Sequence, residues 1–357
     1  MPRRLLRLKT ESYYHCVSRV VEKNRCLRED EKRHFHDWMR RLERFCGVQV
    51  VTYCLMENHF HLLVRVPCRD EMVADQPLTE ARLRELLPLI YRGRELLGAV
   101  QELDRAAAYA GSTAGSGNWL QEILDRYEAR RYSLSVFLKE MKQRYTRWHN
   151  RKYRRVGTLW ENRFRSVLVE GDEKALLTVA AYIDLNPVRA GIVADPKDYR
   201  WCGYAEAVGS RGVSRNRARK GLCTILERTS FGVNRRVNWR ITAPRYRMLL
   251  FGHGERRDLD EQTGAPGRLG MSREEVEVVL SRGGEMSLSE ILRCKVRYFT
   301  GGIAVGSAQF LESVFEEHRE RFGRNRTIAG KAMRGADWGG LKVLRNLRCG
   351  VSGSQES

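Results

Sequence analysis

Long apolar runs are missing from this chain. Among its 357 residues no stretch of about 18 consecutive apolar side chains occurs, so no membrane-spanning helix is expected. The start, Met1-Pro2-Arg3-Arg4-Leu5-Leu6-Arg7, is basic but passes into Lys9-Thr10-Glu11-Ser12 without an apolar core, and no secretion signal is read there. Cys-x-x-Cys pairs are missing as well. The nine cysteines are scattered, at 16, 26, 46, 54, 68, 202, 223, 294 and 349. An odd count without paired spacing argues against a disulfide framework and a zinc ribbon, and fits a reducing cytoplasm. Acidic residues are in short supply: 44 Asp and Glu against 65 Lys and Arg, for a net charge of +21. That excess calls for an anionic partner, nucleic acid before a membrane surface. Internal repeats and long low-complexity tracts are absent too, and the length has room for two domains.

What is there begins with alternation. Tyr13 to Val21 alternates β-branched and aromatic residues and reads as a strand. From Glu29 to Phe45, Phe35, Trp38, Met39, Leu42 and Phe45 recur at helical spacing, and Gly47 ends that helix. Val48–Met56 and Phe60–Val66 read as a hairpin turned at Glu57-Asn58, stopped by Pro67. Arg69–Arg130 reads as a peripheral helical insertion, with a helix over Thr79–Leu97 and a mobile loop at 111–117. Ser133–Asn150 is an amphipathic helix, Gly157–Val169 a fourth strand with an irregular start, and Lys174–Leu185 a helix capped by Asp172. Helices alternating with strands in this order predict an α+β fold: a ferredoxin-like antiparallel sheet with helices on one face, over residues 1–205. Beyond it, 206–220 reads as a basic linker and 221–349 as a mainly helical accessory domain. Helices are expected there at Ser272–Leu280, Ser287–Tyr298 and Ser307–Arg321, and the segment Leu288 to Ser307 suggests a helix-turn-helix unit. Residues 350–357 read as a disordered tail.

The chemistry centres on Asn58-His59-Phe60-His61-Leu62-Leu63. Strand side chains alternate, so His59 and His61 share a face while Phe60 and Leu62 share the other. Alone, the pair reads first as ordinary hydrogen-bonded or surface histidines. A second element changes its meaning. In Tyr182-Ile183-Asp184-Leu185-Asn186-Pro187-Val188-Arg189-Ala190-Gly191, Tyr182 and Asn186 lie four apart on one helix face. Facing the histidines, they would complete a set of two imidazoles, an amide and a phenol, suited to Mg²⁺ or Mn²⁺ with positions open for phosphate. The cation would polarise a phosphodiester and the tyrosine would attack phosphorus.

These two motifs, with Gly157-Thr158-Leu159-Trp160-Glu161-Asn162-Arg163-Phe164-Arg165-Ser166 between them, resemble the single-tyrosine HUH transposases, most of all the REP-associated tyrosine transposase branch. The resemblance covers about residues 8–205. It implies metal-dependent cleavage and rejoining of single-stranded or hairpin DNA through a 5′-phosphotyrosine, leaving a free 3′-OH. Carried over, His59 and His61 are metal ligands and Tyr182 the nucleophile. Asn186 stands where many relatives have glutamine as third ligand; it is one methylene shorter. Relatives act as dimers that exchange helices or as monomers, which leaves a homodimer open. Cytoplasmic location follows, at the nucleoid in a bacterium.

Several neighbours are set aside. Tyr145 falls in the apolar stripe of its helix and reads as core. His15 and His36 have no partner spacing and read as core or surface. Asp184 falls on another helix face from Tyr182, and Glu57 is a turn residue. Between Lys139 and Arg165, ten Lys and Arg stand against two Glu, with Tyr145, Trp148, Tyr153, Trp160 and Phe164 interleaved. Such a mixture suits unpaired DNA, with Arg144, Arg147, Arg163 and Arg165 as candidate phosphate contacts. A domesticated DNA-binding regulator without catalysis is the alternative function. An RNA-processing protein rests on charge alone.

Overall fold

A computed structural model describes residues 6, 8–21, 26–110, 118–209, 212–227, 238–251, 288, 292, 298–334 and 336–345. Strand β1 (Ser12–Arg19) is followed by helix α1 (Glu29–Cys46), the hairpin β2 (Gln49–Leu55) and β3 (His59–Val66), and helices α2 to α5 (Arg69–Asp75, Glu80–Ile90, Gly93–Ala110, Trp119–Glu128). Next come α6 (Leu134–Lys152), β4 (Arg165–Val169), α7 (Glu173–Asp184) and the single turn α8 (Asn186–Arg189). Then follow α9 (Gly203–Val208), α10 (Val213–Leu226), α11 (Trp239–Phe251), α12 (Tyr298–Gly301), β5 (Ala304–Gly306), α13 (Ala308–Glu317), β6 (Lys331–Ala332) and β7 (Lys342–Leu344).

The strands form one sheet in the order β2-β3-β1-β4-β5-β7-β6. The first four are antiparallel neighbours, as alternation predicts, and β5 joins β4 in parallel. The α+β reading is borne out. The mainly helical C-terminal region also supplies three short strands to the sheet, which periodicity cannot announce in two- and three-residue pieces.

Helices flank the sheet on both faces, where the sequence pattern suggested one. On the Phe60 face, the Phe35 ring of α1 lies 5.0 Å from Phe60 and 5.3 Å from Tyr145 of α6. Trp160 closes the same cluster, 5.5 Å from Phe60. Helix α7 lies on the opposite face. Its fully buried Asp184 accepts hydrogen bonds from Thr52 Oγ1 of β2 at 2.9 Å, Tyr246 Oη of α11 at 2.6 Å and the Tyr204 backbone N–H at 3.2 Å. Burial pushes this carboxyl up to about 7, and the three donors oppose the rise.

Three local differences have physical causes. The fourth strand forms only over Arg165–Val169, with a lone bridge from Trp160 to Val20. The Trp160 indole is drawn into the aromatic cluster and the Asn162 carbonyl accepts from Lys142 Nζ at 2.7 Å, so the chain bends there instead of pairing. The helix expected over 79–97 is two, α3 and α4, because Tyr91 is extended and Gly93 has φ 53°. The stretch read as a linker is helical over Val213–Leu226: Ala218, Leu222 and Ile225 are buried, and Gly221 brings the helix backbone against β2. The helix expected over Ser307–Arg321 forms over Ala308–Glu317, capped by Ser307. The loop at 111–117, the helix at 272–280, most of Ser287–Tyr298, which opens the helix-turn-helix reading, and the tail at 350–357 lie outside the described residues, while the stretch read as its turn carries β5.

Candidate functional site

The register of β1 builds the site's floor. Val17 faces His61 on one side and Arg165 on the other, and Arg19 faces His59. Directly paired residues point to the same face, so His59, His61, Arg19 and Arg165 share the surface that α7 covers. The His59 and His61 rings lie 5.1 Å apart, as strand alternation requires. Tyr182 of α7 lies 6.3 Å from His61 between ring centres. The two elements read separately from the sequence therefore meet.

Each imidazole has its Nδ1 engaged within the protein. His59 Nδ1 lies 2.6 Å from Asn58 Oδ1, and His61 Nδ1 lies 2.9 Å from Nε2 of His15. His15, set aside in the sequence, is wholly buried beside the pair, its Nδ1 lying 2.7 Å from the Phe299 carbonyl. Burial lowers His15 to about 4. Burial, with the charges of the neighbouring histidines and Arg189, holds His61 well below its ordinary value. Both rings are thus neutral near pH 7, the form that binds cations.

Tyr182 is 4% exposed. Phe299 packs 4.8 Å from its ring centre, and the Arg189 guanidinium lies over the ring at 4.0 Å. Arg189 also donates to the carbonyls of Tyr182 and Leu292, both at 2.6 Å. Burial raises the phenol above its ordinary value while Arg189 pulls it back. Asn186 opens the turn α8, one helical turn beyond Tyr182. Its amide nitrogen donates to the carbonyls of Tyr182 at 3.3 Å and Ile183 at 3.1 Å, bonds in which Oδ1 takes no part.

The arginines separate. Arg165 lies exposed on the histidine face, and Arg147 and Arg163 are exposed, but Arg163 precedes β4 and does not share its alternation. Arg144 is engaged inside the protein: it donates to the Ile90 carbonyl at 2.8 Å and pairs with Glu140. It ties α6 to α3 and offers little to a phosphate. Tyr145 belongs to the cluster on the opposite sheet face from His61, fully buried. His36 bonds Glu206 at 3.1 Å, a structural contact. Arg189 and Phe299 escaped the sequence reading. The helical offset of Arg189 from Tyr182 offered a signal; Phe299 offered none.

Paired histidines on β3 thus stand on the sheet face that carries the helical Tyr182. Residues 9–74 match the family described as Transposase IS200 like, which bears out the resemblance carried by the motifs and contains both histidines. The functional class attached to that family is DNA transposase. No curated protein matches the chain. Among solved structures, a REP-associated tyrosine transposase bound to a REP hairpin is 12% identical with a TM-score of 0.35, over 58% of this chain and 84% of that one. Among the described residues, no helix is long and apolar enough to cross a membrane.

Proposed function

We propose that this chain is a metal-dependent single-tyrosine transposase that cleaves and rejoins single-stranded or hairpin DNA. The observation that carries the reading is Tyr182 standing 6.3 Å from His61, which lies 5.1 Å from His59 on one face of the sheet. Among the described residues no cluster of three or more His, Cys, Asp or Glu is arranged for a metal ion. In this reading the donors are the two imidazoles through Nε2 and Asn186 Oδ1, and the remaining positions fall to phosphate and water. That set fits Mg²⁺ or Mn²⁺. When bound, such a cation polarises the phosphodiester and offsets charge growing on its oxygens.

The chain's own residues do the rest. Tyr182 Oη bonds to phosphorus as the bond from phosphorus to the 3′-oxygen breaks. The phenol gives up its proton, the 3′-oxygen gains one, and the 5′-phosphate stays on the tyrosine. Rejoining is the reverse attack by a 3′-OH. Arg189 lies against the ring and favours the phenolate. Arg19 and Arg165, beside the histidines, supply positive charge for the strand's phosphates.

A second reading, a DNA-binding regulator without cleavage, is favoured by the cover of Phe299 and Arg189 over the Tyr182 ring. One assay separates them. Labelled hairpins with single-stranded flanks, taken from DNA bordering the gene, are incubated with the protein and Mn²⁺, and adducts are resolved on a denaturing gel. The transposase reading expects an adduct lost in Tyr182→Phe and kept in Tyr145→Phe. Absence of any adduct across the panel leaves the regulator reading standing.

A further inference from the structure

We infer that His15 is a positioning residue: through one hydrogen bond it holds His61 in the tautomer whose Nε2 can take a cation, and the backbone at Phe299 anchors it. The inference deepens the metal reading above and rests on it.

Donor and acceptor counting fixes the direction of each bond. A carbonyl oxygen can only accept, so the 2.7 Å contact to Phe299 makes His15 Nδ1 the donor. A neutral imidazole carries one N–H, so His15 Nε2 must accept. Its partner at 2.9 Å is His61 Nδ1, which therefore donates. The single N–H of His61 is spent on His15, and Nε2 keeps its bare lone pair. The opposite tautomer would set two lone pairs against each other at His15 and put a proton where the metal must bind.

The geometry makes the bond hard to replace. His61 pairs with Val17 across β1 and β3, which makes His15, two residues along the same face, its diagonal neighbour. The rings stack at 5.1 Å with 22° between planes, and His15, wholly buried, leaves no room for water to take its place behind His61. An orienting partner of this kind behind a ligating histidine is a general feature of metal centres. The anchor is remote in sequence: Phe299 follows His15 by 284 residues. The C-terminal segment thus acts on the ligand state of a histidine in the first third of the chain.

The test uses the full-length protein, free of DNA and metal, titrated with Mn²⁺ and followed by electron paramagnetic resonance. His61→Ala is expected to abolish binding. His15→Leu is expected to weaken it about 10- to 100-fold, the usual cost of losing such a partner. His15→Gln is expected to restore most of it, since its amide can accept from His61 and donate to the Phe299 carbonyl. Wild-type affinity in a folded His15→Leu, alongside loss in His61→Ala, would overturn the relay and leave the metal site intact. Unchanged binding in His61→Ala would overturn the metal reading and the relay with it. Should His15→Leu fail to fold, nitrogen-15 spectra of the metal-free wild type decide. Both His15 and His61 are expected as the Nδ1–H tautomer, and a proton on His61 Nε2 sinks the inference.

Discussion

Arg189 is the side chain whose importance the structure raises most. Its charge sits 4.0 Å from the centre of the Tyr182 ring, which is itself buried. A cation there favours the phenolate, the attacking form of the tyrosine. Arg189→Met keeps an unbranched cover over the ring and removes the charge. Adduct formation in a single turnover should slow by about tenfold or more, equivalent to ~1.4 kcal/mol of barrier. Hairpin binding in a gel shift without metal should be little changed. Equal losses in binding and cleavage would assign Arg189 to DNA contact instead. Tyr145 makes the contrast: a tyrosine in a basic helix with its hydroxyl buried and without a hydrogen-bond partner on the far side of the sheet.

Elements are held in register by a few buried polar clips and close approaches. Glu206 of α9 joins Arg40 and His36 of α1 and Ser214 of α10. Burial alone would raise its carboxyl, but the bond from His36 and the charge of Arg40 outweigh that and hold it at about 2. An unfolded glutamate titrates near ~4.3. A folded value below the unfolded one adds stability above about pH 4.3, and that stability is lost as pH falls toward 2. Glu206→Gln should therefore cost about 1–3 kcal/mol at pH 7 by urea unfolding. The gap to wild type should narrow steadily below pH 4.3; a pH-independent gap would count against this clip. Gly221 marks the tightest contact of α10 with the sheet. A methyl there would meet the Val51 carbonyl oxygen at 2.4 Å and that of Val50 at 2.8 Å. Backbone on both sides cannot yield cheaply, so Gly221→Ala should destabilise by about 1–3 kcal/mol, read from the same unfolding curves.

For the molecule as a whole, the charge of +21 is the dominant property. Binding to single-stranded DNA should weaken steeply with salt, log K falling linearly with log salt at about 0.7 per neutralised phosphate. Arg163→Gln and Arg165→Gln, both exposed, should each shallow that slope by about 0.7 while leaving the melting temperature unchanged. Arg144→Gln should do the reverse, lowering stability and sparing the slope, because its guanidinium is spent on Ile90 and Glu140. Salt titrations of all three variants check the division.

Local repetition made much of this legible. The period of two put His59 and His61 on one face, and the period of 3.6 stacked Asn186 over Tyr182 and assigned Tyr145 to the core. Those statements concern neighbours in the chain, whose geometry backbone stereochemistry dictates. Long-range pairing is another matter. That His15 meets His61 depends on the register of β1 against β3, and that Phe299 reaches both His15 and Tyr182 depends on three short strands extending the sheet. Basic residues on one face of 213–226 hid an amphipathic helix behind the look of a linker. The amino-acid order alone specified the paired histidines, the tyrosine and asparagine on their helix, and the charge. Chain folding chose which face α7 covers, which histidine stands behind the pair and what covers the tyrosine, because those contacts join segments with no shared period to betray them.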